Sequence, residues 1–245
     1  MKNFYLLTYL TILLSYGTSN AQNIYQPGHA ILNDGTKISG EISFYENSPW
    51  LNQRFIFIKD SADLAQTGTK AKAKKYKADD LKSYQVAGRT YEKVNYIDLQ
   101  NIQVKSLGSN NHMLEQFSSG RINAYRFYAY PKDIEVYINT SSEVIKENQQ
   151  RDKDALLAGW KLLTQKDGGS FKNSFEYDFQ KFFEDAPEIT QKYKNGSYGN
   201  TPISNKKGLA GKMVTMAMKA SLQPLEYQSI IAAFNDYNKK FASNQ

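Results

Sequence analysis

His29 and His112 are the two imidazoles in this chain of 245 residues, and either could serve as a general base or a metal ligand. Neither has a second histidine or a carboxylate at ligand spacing beside it, so a metal site is unsupported. Cysteine is absent, which removes thiolate zinc ligands, a cysteine nucleophile and a disulfide scaffold. Ser204-Asn205-Lys206-Lys207 carries the Ser-x-x-Lys string of some acyl-transfer enzymes. It sits in a Gly/Asn/Lys-rich stretch without the companion motifs that such chemistry requires. Glu41 with Glu46, or Asp79 with Asp80, could pair as acid and base, but any charged sequence offers such pairs. No nucleophile elbow, phosphate loop or calcium loop is present. The residues therefore announce no catalytic constellation and no cofactor.

Two other groups invite a binding role. Lys70, Lys72, Lys74, Lys75 and Lys77 fall within eight residues and are followed at once by Asp79 and Asp80. Such a run can meet phosphate, an anionic glycan or a membrane surface, or can be a solvated loop. The segment before Tyr76 has little apolar area to offset backbone ordering, which predicts a mobile loop whose order resumes at Tyr76. Specific nucleic-acid recognition is not expected, because arginine is scarce and base reading favours Arg, Asn and Gln. The second group is Tyr125, Tyr128 and Tyr130, with Phe127 between them. They place aromatics on both faces of one strand, suited to a half-exposed binding surface or to cross-strand packing.

The elements that would position these groups divide into two regions. Residues 22–140 show mainly a period of two. Asn33-Asp34-Gly35 between alternating runs marks a hairpin, and Ala87-Gly88-Arg89 marks a second. Residues 54–58 read as a strand buried on both faces. Residues 97–107 can extend the sheet, and residues 121–130 with 134–138 form a further pair around Pro131. Residues 141–245 change character. Residues 142–158 read as a polar helix, and residues 160–165 with 170–175 as a last hairpin. Phe175, Phe179, Phe182 and Phe183 recur at helix spacing as one apolar stripe. Asp185 is placed to cap the next helix, with Pro187 in its first turn. Residues 197–208 read as a linker, residues 209–222 as a helix, and Pro224 opens another whose face runs from Tyr227 to Phe241.

The address is the clearest signal. Lys2 precedes a largely apolar run over residues 4–14, and Ser19 and Ala21 stand three and one residues before a cut ahead of Gln22. That is the layout of a secretory signal peptide over residues 1–21. The apolar run is shorter than the roughly 20 residues a spanning helix needs, and no later segment reaches that length. Processing at this point lowers the formal charge from +7 to +6.

The stretch Leu32-Asn33-Asp34-Gly35-Thr36-Lys37-Ile38-Ser39-Gly40-Glu41-Ile42 resembles the opening of uncharacterised exported proteins of Bacteroidetes-type bacteria. Tyr76-Lys77-Ala78-Asp79-Asp80-Leu81 with Tyr84, Gly88 with Tyr91, and Phe117 with Gly120 continue the likeness, as does Phe183-Glu184-Asp185-Ala186-Pro187-Glu188. The resemblance implies a β-rich body with a helical tail in the cell envelope, and implies no catalytic residue.

The expected fold is α+β, an N-terminal antiparallel sheet or small barrel-like body followed by a mostly helical C-terminal portion. Residues 22–140 form the β-rich domain and residues 141–245 the helical region, with a shared core an open option. The expected function is a non-catalytic, exported envelope protein, periplasmic or secreted. It would bind an envelope protein or anionic polymer through Tyr125, Tyr128, Tyr130, Lys72, Lys74 and Lys75. The alternatives are an enzyme acting on envelope glycan or peptide with an unrecognised carboxylate pair, and a binder of anionic lipid or nucleic acid.

Overall fold

The computed structural model describes residues 24–98, 110–131, 142–202 and 227–242. The expected leader, the strand at 97–107 beyond residue 98, the strand at 134–138, and the helix at 209–222 lie outside the described residues; residues 97–98 carry no strand. Ten strands form one antiparallel sheet: β1 (Ile24–Leu32), β2 (Lys37–Phe44), β3 (Phe55–Asp60), β4 (Lys74–Lys77), β5 (Leu81–Val86), β6 (Arg89–Asn95), β7 (Asn111–Ser118), β8 (Ile122–Phe127), β9 (Lys161–Lys166) and β10 (Lys172–Asn173). Their order is β10-β9-β8-β7-β6-β5-β1-β2-β3-β4. Two meanders are thus joined where β1 pairs with both β2 and β5.

Turn chemistry accounts for the hairpins. Gly35 takes φ +87° between β1 and β2, and Ala87 and Gly88 both take positive φ between β5 and β6. Two successive positive φ values match the right-handed twist of the flanking strands. At Gly40 the sheet comes too close for a side chain, since a Cβ would lie 1.9 Å from the Lys59 carbonyl oxygen.

The N-terminal meander coils until β3 begins beside β7, five places away in the strand order. The Met113 N–H donates to the Gln53 carbonyl at 2.8 Å. The Gln53 carboxamide accepts from the Tyr128 N–H at 2.7 Å and donates to the Tyr128 carbonyl at 2.8 Å. These bonds draw the coil together, while among the described residues no ladder closes it into a barrel. Inside lie Ala30, Ile42, Ile56, Leu81 and Met113, each fully buried.

The second region adds to the same sheet. After α3 (Ser142–Ala158), β9 pairs with β8, and β10 turns back on β9. The two earlier helices, α1 (Pro49–Asn52) and α2 (Ser61–Thr67), are short. α4 (Pro187–Lys194), α5 (Tyr227–Ala242) and a 3-10 turn over Phe179–Phe183 pack on Ile122, Ala124 and Leu162 of the sheet. One core cluster therefore draws side chains from both sides of residue 140. Among the described residues, no helix is long and apolar enough to cross a membrane.

Several local expectations change. Phe179, Phe182 and Phe183 of the phenylalanine stripe are buried, but on one 3-10 turn and not an α-helix, and Phe175 stands before that turn, half-buried. Ala186, non-helical at φ −148° and ψ 67° before Pro187, separates that turn from the helix that follows. Asp185 caps nothing; its carboxylate accepts from Lys166 and Tyr237 instead. Strand β7 is absent from the sequence reading. Its residues lack alternation because Met113 faces the coil while Leu114 joins a third cluster with Val94, Tyr125, Phe127 and Leu163 on the opposite face.

Candidate functional site

Strand β3 points Ile56 and Ile58 into the coil and Phe55, Phe57 and Lys59 outward. The run 54–58 is thus buried on one face only; among the described residues Phe55 and Phe57 remain half-exposed. Pairing with β4 sets Lys75 opposite Phe57 and Lys77 opposite Phe55. The lysine run is corrected accordingly. Residues Lys74–Lys77 are an ordered edge strand, anchored by Tyr76, which is 8% exposed and packs into the coil. Only residues 71–73 lie between it and a 3-10 turn at Gly68–Lys70. One buried aromatic in a four-residue strand supplies the apolar contact that the rest of the run lacks.

Register extends the site across the meander. Tyr25 stands opposite Ser43, and the Ser43 hydroxyl accepts from the Phe57 N–H at 2.9 Å. Tyr25, Ser43, Phe57 and Lys75 thereby form a row across four strands. The Tyr45 ring meets Phe55 edge-on at 6.0 Å, and Phe55 meets Phe57 at 5.6 Å. The Lys75 ammonium lies 4.1 Å above Phe55 and 5.7 Å above Phe57, and Lys59 lies 4.3 Å above Tyr25. Each such contact contributes roughly 0.5–1 kcal/mol at an exposed position, enough to bias where the ammonium sits. Burial raises the Tyr25 hydroxyl pKa, reinforced by Tyr45 and Glu41.

Charge on this face is unbalanced. Glu41 is 3.9 Å from Lys59. Lys75 and Lys77 on this face, Lys72 just before the strand, and Lys74, which points to the opposite face over Tyr76, are exposed and form no ion pair among the described residues. Lysine on an edge strand also discourages pairing with another chain. The resulting surface is a set of half-exposed rings rimmed by ammonium groups, able to take a flat ligand that carries repeated negative charge.

The tyrosines predicted to join the lysines are distributed differently. Tyr125 is 6% exposed, faces the third cluster and donates to Glu92 at 3.2 Å. Tyr128 lies on the other face, against the helical cluster, its backbone held by Gln53. Tyr130 stacks with His112 and lies under the Arg54 guanidinium at 4.4 Å. They share no common surface with Lys72, Lys74 and Lys75. Sequence reasoning missed Tyr25, Tyr45, Phe55 and Phe57, although the alternation of Phe55, Phe57 and Lys59 was a usable signal.

The candidate catalytic groups have structural partners. His112 donates from Nε2 to the Tyr96 carbonyl at 3.0 Å and accepts at Nδ1 from the Tyr130 hydroxyl at 2.7 Å. Burial lowers its pKa and favours this neutral form. Asp79 accepts from Asn111 at 2.8 Å, and Asp80 accepts from the Lys77 N–H at 2.8 Å. The pKa values of Asp34, Asp167, Asp185, Glu188 and Asp236 are lowered. Among the described residues no cluster of three or more His, Asp or Glu could hold a metal ion.

A polar seam separates the two cores on the coil side of the sheet. Glu115 lies 3.5 Å from Arg89 and 3.3 Å from Arg126, whose guanidinium sits 4.6 Å over Phe117 and 4.8 Å over Trp160. Its charges are largely satisfied internally, which favours a packing role. Comparison of the chain with protein-family models, curated proteins and solved structures found no match.

Proposed function

We propose that the protein is exported to the cell envelope, periplasmic or secreted, and acts as a non-catalytic binding module for an acidic glycan on the outer face of β1–β4. The leader over residues 1–21 supports export. The observation that carries the binding reading is Lys75, poised over Phe55 and Phe57 at the head of the Tyr25–Ser43–Phe57 row. Lys77 extends the positive rim on the same face, and Lys72 and Lys74 add positive charge along the same sheet edge. Ammonium groups meet the ligand's carboxylates or sulfates, while half-exposed rings accept the apolar faces of its sugars.

Binding of this kind weakens with salt, since the screening length falls from about 10 Å at 0.1 M to about 3 Å at 1 M. The test is titration of the mature chain, beginning at Gln22 by intact mass, with polygalacturonate and with uncharged dextran. Polygalacturonate should bind at low salt and release at high salt, and dextran should show no salt-dependent binding. The Lys72→Glu, Lys74→Glu, Lys75→Glu triple variant should abolish binding with the fold intact by circular dichroism. Polygalacturonate binding that survives the triple variant, or that ignores salt, overturns the reading.

A further inference from the structure

At the opposite end of the sheet from the lysines, the chain just after β6 faces the β9–β10 hairpin across an open cavity of about 430 Å³. Tyr96, Phe171 and Tyr177 supply half-buried aromatic walls. Lys161 and Asp98 pair at 2.8 Å in its wall, with side chains 11% and 9% exposed. Glu176, Lys172 and Asn173 are the remaining polar lining groups. Ile97, 52% exposed, is one of two large aliphatics left open among the described residues, and it borders this cavity.

We propose that this cavity is a second binding site, one that takes a ring of a neutral saccharide. The volume falls within the roughly 300–1,000 Å³ of small-molecule sites. Two acids, Asp98 and Glu176, balance two lysines, Lys161 and Lys172, so the site has no net charge to favour a polyanion. A sugar ring presents an apolar C–H face and a polar rim of hydroxyls, and the cavity offers the complement of both. The rings supply the flat surface. Glu176, which takes no side-chain hydrogen bond among the described residues, and the Asn173 carboxamide are short groups suited to hydroxyls. An extended peptide is a poorer fit, because β10 is two residues long and offers almost no edge for strand addition.

The walls are held in advance of any ligand, which lowers the ordering cost of binding. Tyr96 is fixed through its backbone, the N–H donating to Asn110 at 3.0 Å and the carbonyl accepting from His112 at 3.0 Å. Phe171 meets Tyr96 edge-on at 6.1 Å and Tyr125 at 6.2 Å. Tyr177 leans on Phe182 at 5.4 Å, and its N–H donates to the Asn173 carbonyl at 2.8 Å. Asp98 and Glu176 both bear electrostatically on the Tyr96 hydroxyl, whose pKa burial raises first and these two acids raise further.

The test is an NMR titration of the mature chain with cellobiose and with the disaccharide of N-acetylglucosamine. At least one should give saturable shifts at Tyr96, Ile97 and Tyr177, with a dissociation constant on the order of 1 mM. The affinity should be the same at low and high salt, and unchanged in Lys75→Glu, which separates this site from the lysine face. Tyr177→Leu, which keeps apolar bulk and loses the flat ring, should weaken binding about tenfold. Glu176→Gln, at an exposed position that leaves the fold untouched, should weaken it measurably as well. Absence of saturable shifts with both disaccharides overturns the proposal. So does binding that both variants leave intact, or binding that salt removes.

Discussion

Asn238 of α5 is paired with the backbone of Ile122 in both directions: its Oδ1 accepts from the Ile122 N–H at 2.8 Å, and its Nδ2 donates to the Ile122 carbonyl at 2.7 Å. A carboxamide carries the same donor and acceptor as a peptide unit, so it can stand in for a strand where none is available. Gln53 does this for Tyr128, and Asn52 does it for Tyr45 at 3.0 Å each way. The three amides tie α5 to β8, the coil to the end of β8, and the exit of β2 to α1.

Replacement of Asn238 by alanine, in a position 9% exposed, removes the partner of the Ile122 N–H and leaves the Ile122 carbonyl with the Ser118 hydroxyl alone at 3.2 Å, and should cost about 1–3 kcal/mol. Gly120, at φ +148°, makes room for it, since a Cβ there would lie 2.7 Å from the Asn238 Cγ. Gly120→Ala should therefore be more costly in the wild-type background than in Asn238→Ala. Urea denaturation of the four members of the cycle measures that coupling. Strict additivity would mean that the two residues do not share the space.

Phe179 is 2% exposed and meets Tyr193 at 4.7 Å, with Phe183 and Phe234 beyond. Phe179→Ala should lower stability by about 3–5 kcal/mol. The denaturation midpoint should fall with an unchanged slope. A midpoint that does not move would mean the aromatic cluster reforms around the loss.

Burial pushes the Asp185 pKa up, but hydrogen bonds from Lys166 and Tyr237 outweigh it and hold the carboxyl at about 2. A carboxyl lowered on folding stabilises the folded state above its unfolded value of about 3.9. That contribution disappears as pH falls through about 2. Asp185→Asn should therefore be less stable than wild type at neutral pH, and the gap should close between about pH 4 and pH 2. The group is 39% exposed, so the gap should also shrink with salt. A gap that stays constant down to pH 2 would show that lost packing, and not charge, is responsible.

Much of the architecture was legible because it is written in short-range chemistry. Asp34-Gly35 and Ala87-Gly88 name their turns through glycines that take positive φ, and both hairpins form. The helix over Ser142–Ala158 was legible from its polar, charged composition, and the hairpin of β9 and β10 from the turn residues Lys166-Asp167-Gly168-Gly169. Strand β7 was not legible because alternation fails when both faces of a strand are buried. Asp185 looked like a cap because the pattern before Pro187 is shared by caps and by surface acids. Its partners Lys166 and Tyr237 lie 19 and 52 residues away.

The sequence by itself determined that the chain builds an antiparallel sheet followed by helices, that no catalytic motif announces itself, and that lysines cluster before Tyr76. Those properties depend on residue type and on spacing over a few positions. Only the tertiary structure decided that Lys75 stands over Phe55 and Phe57, and that Tyr125 and Tyr128 face opposite ways. It likewise decided that Tyr96 meets Phe171 across a cavity. Each of these depends on ladder register and on how far the sheet coils. Register is a sum of many weak cross-strand contacts between distant segments, and a shift of one residue would turn every side chain to the other face.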